Sequence, residues 1–326
     1  MKNKLLNILV IIMLVPISLF SQNVQMEHWY INTYYNSIDV DFTSAPATNP
    51  PYNTYDYLVT DLPTQPTYYN HTEGGTNGMY DPSGNLIFYV EGGAVYDKNG
   101  VYKGAFQHTG DRNINEIAII PKTNTCLEYY VIMSTLGEGV FHPRVFYGLV
   151  TLDINHNVIS ITDKNNLGGY YFNSDVMSCS FAVSNSINNM GDKYLYVVEG
   201  TNYYNSNYYG YLKRYLITDN GITFQQTLLD GSVSGQKLEY SPFEVELNHD
   251  GTKIAWGDMM GPKHSIYVVD LNGTNSISEF SNGVAVGPKG IEFSPDGSKL
   301  FFAEYYGDIK YIDFNLFRLN SSRLAS

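Results

Sequence analysis

Ile291-Glu-Phe-Ser-Pro-Asp-Gly-Ser-Lys-Leu-Phe-Phe-Ala-Glu304 decides the fold: an apolar strand, a polar turn with a glycine, a second apolar strand, then an acid. The unit recurs as Met79-Tyr-Asp-Pro-Ser-Gly-Asn-Leu-Ile-Phe-Tyr-Val-Glu91, Asn189-Met-Gly-Asp-Lys-Tyr-Leu-Tyr-Val-Val-Glu199 and Val245-Glu-Leu-Asn-His-Asp-Gly-Thr-Lys-Ile-Ala-Trp-Gly-Asp258. Gly84, Gly251 and Gly297 precede the acid by seven positions and Gly191 by eight, so the copies share a register. Glycine supplies the positive φ that a tight hairpin turn needs. A third strand follows each pair, clearest in Ser265-Ile-Tyr-Val-Val-Asp-Leu271 and Asp308-Ile-Lys-Tyr-Ile-Asp-Phe314, weaker at Ala94 to Asp97 and from Gly210. Three or four short strands per repeat of about 40 to 60 residues is the pattern of a β-propeller blade.

Outward from these four units, a fifth and degenerate one runs from Glu116 through Cys126 to Met133 and on to Val145–Asp153, with Pro121-Lys-Thr-Asn-Thr125 in place of the Asp-Gly turn. No stretch after the first residues places apolar side chains at helical spacing, whereas β-branched and aromatic runs recur throughout. The expected fold is all-β: a propeller of six to seven four-stranded blades with an incomplete last blade. The strand around Tyr30 to Phe42 is expected to complete that last blade.

Residues 1–21 open with Lys2 and Lys4, continue as the apolar run Ile8–Val15 and end in Pro16-Ile-Ser-Leu-Phe-Ser21, the three-part form of a secretory signal. The domain expectation is therefore a leader over 1–21 and a single propeller over 22–326, secreted, periplasmic or held at the cell surface. No later segment is long and apolar enough to span a membrane, so no integral membrane segment is expected after cleavage. The two cysteines, Cys126 and Cys179, both lie in strand-like runs; an exported chain permits a bridge, but each also reads as a small core residue.

The formal charge is −13, and removing Lys2 and Lys4 with the leader makes it −15. The five arginines, Arg112, Arg144, Arg214, Arg318 and Arg323, are scattered. Nucleic-acid binding needs clustered Lys and Arg and is excluded on this count. With 43% hydrophobic and 15% aromatic residues the chain can build a core, which excludes disorder.

Trp29-Tyr-Ile-Asn-Thr-Tyr-Tyr-Asn-Ser-Ile-Asp-Val-Asp-Phe42, Tyr80–Gly100, Ala118-Ile-Ile-Pro-Lys122 and the Ser-Pro-Asp-Gly-Ser-Lys blade at 294–299 together resemble a secreted β-propeller family of Bacteroidetes-type bacteria. Its blades are WD-repeat-like, and its members often carry adhesion or sorting domains after the propeller. The resemblance implies fold and export, and no catalytic residues. Without those domains, the chain looks like a bare, truncated propeller.

In a propeller the glycine turns lie at one end of the sheets, and the connections between second and third strands open at the other. Glu91, Glu199, Asp258 and Glu304 fall at that second end. As a partial acidic ring they would attract calcium or a basic peptide; alternatively each acid caps backbone N–H groups or faces water. Tyr203, Tyr204, Tyr208, Tyr209, Tyr305 and Tyr306 lie in or beside the same connections, where aromatic faces stack on sugars or anchor a protein, although tyrosine is also ordinary strand and surface material.

Asp219-Asn-Gly-Ile-Thr-Phe224 resembles the Asp-box of sialidases, but Ile217 stands where that motif has Ser. The seven histidines show no metal-ligand spacing, and no nucleophile elbow is present. Two functions remain. One is a non-catalytic scaffold that binds protein or glycan through loops at one rim, with no cofactor unless calcium. The alternative is an enzyme of lactonase or glycan-processing type that uses the four acids as bases or metal ligands.

Overall fold

The computed structural model describes residues 28–32, 37–41, 76–81, 83–106, 114–125, 127–135, 145–168, 178–200, 210–231, 242–258, 265–273, 275–281, 288–304 and 309–315. They form β1 (His28–Asn32) and β2 (Ser37–Asp41), paired only with each other, followed by five sheets. Sheet one holds β3 (Thr76–Tyr80), β4 (Leu86–Glu91), β5 (Ala94–Asp97) and β6 (Tyr102–Ala105). Sheet two holds β7 (Ile114–Pro121), β8 (Glu128–Thr135), β9 (Val145–Leu152) and β10 (Val158–Gly168). Sheet three holds β11 (Ser178–Val183), β12 (Lys193–Gly200), β13 (Gly210–Thr218) and β14 (Gly221–Asp230). Sheet four holds β15 (Pro242–Leu247), β16 (Lys253–Asp258), β17 (Ser265–Asp270) and β18 (Ile277–Ser281), and sheet five β19 (Pro288–Phe293), β20 (Lys299–Glu304) and β21 (Ile309–Asp313). Every sheet is an antiparallel meander in sequence order.

The repeat glycines make these meanders close. Gly84, Gly191, Gly251 and Gly297 have φ of 80°, 78°, 69° and 65°, a region closed to most side chains. Each donates its N–H to the carbonyl three residues earlier, on Asp81, Asn188, Asn248 and Ser294. The degenerate blade lacks the glycine, and its β7–β8 connection closes instead through Lys122 N–H to the Glu128 carbonyl.

Consecutive sheets pack face to face. Phe88, Val90 and Phe106 of sheet one meet Ile119, Val131 and Phe146 of sheet two. Ile132, Val145 and Tyr147 of sheet two meet Phe181, Leu195 and Val197 of sheet three. Val198 and Leu212 of sheet three, Trp256 and Ile266 of sheet four, and Ile291 and Phe302 of sheet five share one cluster. The fit is tight: the Phe106 ring lies against Gly148 of β9, where an added Cβ would collide with it. The first strands stand side by side, β3 with β7, β7 with β11, β11 with β15 and β15 with β19. This is a propeller-like array of blades with the first strand of each at the inner edge.

The strand expectations hold in all five units, including the degenerate one. The described residues supply four four-stranded sheets and one of three strands, fewer than the six to seven blades expected. The segment around Tyr30 to Phe42 does not join β19–β21. Its strands β1 and β2 form their own hairpin, beside β3. Cys179 is a fully buried free thiol, packed as a core residue, and Cys126 lies outside the described residues. The leader also lies outside them; among the described residues no helix is long and apolar enough to cross a membrane.

Candidate functional site

Each of the four acids read from the repeat sits at the end of its second strand, paired in register with the start of the first: Glu91 with Thr76, Glu199 with Cys179, Asp258 with Pro242 and Glu304 with Pro288. The shared sequence register is thus a shared structural position. The side chains do not share a fate. Glu199 is wholly buried, and its Oε2 accepts from Lys213 Nζ at 2.7 Å. The same ammonium lies 5.5 Å from the centre of the Tyr211 ring. Val197 and Leu195, on the same face of β12, belong to the core between sheets two and three. Glu199 therefore points into a sheet interface. Glu91 is half-buried, its Oε2 has no hydrogen-bond partner, and burial raises its pKa above the ordinary carboxylate range. The side chains of Asp258 and Glu304 lie outside the described residues, as do Tyr203, Tyr204, Tyr208, Tyr209, Tyr305 and Tyr306. Among the described residues no three Asp, Glu, His or Cys side chains stand close enough to hold a metal ion.

A different set of acids acts on one another, along the first strands. Glu116 of β7, Glu244 and Glu246 of β15, and Glu292 of β19 form it. Burial, reinforced by the Glu244 charge, pushes Glu116 up to about 8. Burial pushes Glu244 up to about 7, with Glu292 adding repulsion. Glu246 is pushed well up by burial and then by Glu292, Glu244 and Glu116. Glu116, Glu244 and Glu246 keep some accessible surface, but the strands crowd around them closely enough to strip solvation from a charged carboxylate.

These acids also tie sheets together. Ser180 Oγ of β11 donates to Glu116 Oε2 at 2.9 Å, and the Ile291 N–H of β19 donates to Glu244 Oε2 at 2.9 Å. Asn77 of β3 makes the corresponding tie between sheets one and two, donating to the Ile117 carbonyl at 2.8 Å. Both bonds to glutamate are accepted by the carboxyl oxygens and act to lower the pKa, and burial outweighs them. The sequence signal was the alternation of acid and apolar residue in Phe243-Glu-Val-Glu-Leu247 and Ile291-Glu-Phe293, which puts the acids on one face of a strand. Acids that alternate with core residues along an inner strand are the unusual feature; an acid at a strand end is not.

The Asp-box-like segment is a structural turn. It closes the β13–β14 hairpin, and the Asp219 carboxylate accepts from the backbone N–H of Thr123 at 2.7 Å and from its hydroxyl at 3.0 Å. It fastens sheet three to the degenerate turn of sheet two. A depression of 160 Å³, lined by residues including Lys253, Asp270, Ser278 and Phe314, involves the glycine-turn end of sheet four. That is small beside the roughly 300–1,000 Å³ of small-molecule pockets.

No protein-family model matches the sequence, and no curated protein is significantly similar to it. Several solved structures are similar in outline. Kuenenia stuttgartiensis hydrazine synthase is 13% identical over 72% of this chain and 70% of its own, with a TM-score of 0.43. Kluyvelomyces marxianus Hsv2 is 13% identical over 70% of this chain, with a TM-score of 0.36, and Chaetomium thermophilum Sqt1 is 18% identical over 86%, with a TM-score of 0.41. The chain spans 56% of the length of that Hsv2 and 62% of that Sqt1.

Proposed function

We propose that this chain is an exported, non-catalytic β-propeller of six to seven blades that binds a protein or glycan partner through the connections between second and third strands. One observation carries the reading. The frame repeats, while those connections vary: Gly92-Gly93 in sheet one, 136–144 in sheet two, 201–209 in sheet three, 259–264 in sheet four and 305–308 in sheet five. Variable loops on a rigid repeated frame are how such arrays recognise partners. The tyrosines at 203, 204, 208, 209, 305 and 306 fall in these variable connections and supply the aromatic faces that sugars and protein anchors use. Engagement of Glu199 by Lys213 favours binding over rim-acid catalysis, because a buried, ion-paired carboxylate is not a free base.

A glycan array probed with residues 22–326 tests this, with Tyr208→Ala/Tyr209→Ala as the paired variant. Saturable binding that the variant loses supports the reading. Binding that the variant keeps in full, or turnover of a bound sugar, contradicts it. Melting in millimolar calcium tests the metal version separately: a raised midpoint supports calcium at the acids, and an unchanged one removes it.

A further inference from the structure

We infer that the folded chain modifies itself at Asn272: the Asn272-Gly273 turn between β17 and β18 is the site of a selective, uncatalysed deamidation. Four Asn-Gly pairs lie among the described residues, Asn77-Gly78, Asn99-Gly100, Asn220-Gly221 and Asn272-Gly273. As dipeptides they are equivalent, because glycine leaves the backbone nitrogen after the asparagine uncrowded in every one. The fold holds three of them and leaves the fourth open.

Asn77 donates its side-chain amide to the Ile117 carbonyl at 2.8 Å, and Gly78 is paired with Tyr89 inside sheet one. The Gly100 N–H donates to the Asp97 carbonyl at 2.9 Å. Gly221 is paired with Thr218 where the β13–β14 hairpin closes, and Thr123 anchors that hairpin through Asp219. Asn272 and Gly273, by contrast, are exposed, and the Gly273 N–H makes no hydrogen bond among the described residues. Gly273 has a φ of 119°, and a Cβ added there would meet nothing within 4 Å, so the space beside its nitrogen is open. The one bond at this turn runs from the Asn272 N–H to Asp270 Oδ1 at 2.9 Å, on the other side of the asparagine from the reacting nitrogen.

In the reaction the Gly273 nitrogen attacks Cγ of Asn272. The new N–Cγ bond replaces Cγ–Nδ2, and Nδ2 leaves as ammonia with the proton that Gly273 gives up. Water then opens the succinimide at either carbonyl, giving aspartate or isoaspartate; no oxidant or cofactor enters. The product adds a negative charge two residues from Asp270, which with Ser276 and Ser278 lines the depression at this end of sheet four. The isoaspartate form also lengthens the turn backbone by one methylene.

Peptide mapping by mass spectrometry, on the full chain aged in mildly alkaline buffer with and without guanidinium, tests this. In the native chain Asn272 should deamidate about tenfold or more faster than Asn77, Asn99 or Asn220, since attack there requires no hydrogen bond or strand pairing to be given up first. In guanidinium the four sites should react at similar rates. A native chain in which any of the other three reacts as fast as Asn272, or in which Asn272 stays intact while the unfolded chain converts, overturns the proposal. The same preference for Asn272 in guanidinium also overturns it, because the selectivity would then belong to the local sequence and not to the fold.

Discussion

The glycine-turn end and the inner edge use acids in opposite ways. At the turns, Asp81 accepts the N–H groups of Ser83 and Asn85 and the side-chain amide of Asn85, which lowers its pKa. Asp296 accepts the Ser294 hydroxyl and the N–H and hydroxyl of Ser298, which bring it down to about 2. Along the inner edge, Glu116 and Glu244 each accept a bond too, but burial outweighs it and their pKa values rise. The lesson is that hydrogen bonding dominates an acid's pKa at the open turns, and desolvation dominates where neighbouring strands crowd the carboxyl. Below the ordinary carboxylate range the turns lose stability as their acids gain protons, and above it the inner edge loses stability as its acids shed them.

The largest expected effect comes from the acid that belongs to neither set. Lys213→Ala leaves Glu199 charged and buried without its cation, and should lower stability by about 3–5 kcal/mol in denaturant unfolding. Glu199→Gln should cost less, and a double variant close to Glu199→Gln alone would show that the loss lies in the unpaired charge. A Lys213→Ala loss below about 1 kcal/mol would place Glu199 in water instead.

A smaller effect should separate the two regions directly. Glu246→Gln should raise the melting midpoint at pH 8 and leave it nearly unchanged at pH 5, whereas Asp81→Asn should lower it at pH 7 and flatten its fall below pH 4. If both respond in the same direction with pH, the contrast between turn and edge fails. The smallest expected change is in Asp219→Ala, which loses the bonds to Thr123 at an exposed site and should cost about 1 kcal/mol at most.

Much of the frame was legible because its signals are local. Four turn glycines announced four positive-φ positions, and Ala94 to Asp97, read from a weak apolar run, is a strand. Even Glu116 to Val145 read correctly without its glycine, because the strands on either side are continuous apolar runs. The site was less legible, because position along a strand does not say which way a side chain turns. Glu199 occupies the expected place, yet it faces the sheet interface, and only the placement of Lys213 reveals why it is tolerated there. The inner acids depend on four strands far apart in sequence becoming neighbours, and Glu116 is 128 positions from Glu244. The pairing of β1 with β2 was likewise a choice between partners that apolar periodicity does not distinguish.

The division of labour between a constant frame and variable connections is tested most directly by replacing 201–209 with Gly-Gly, as sheet one has at Gly92-Gly93, and measuring glycan-array binding and melting together. Shortening nine residues to two changes the loop-closure entropy by only about 1 kcal/mol. The predicted result is a melting midpoint within a few degrees of wild type and at least a tenfold loss of affinity for whatever the wild type binds. Undiminished binding by the shortened chain would contradict the account.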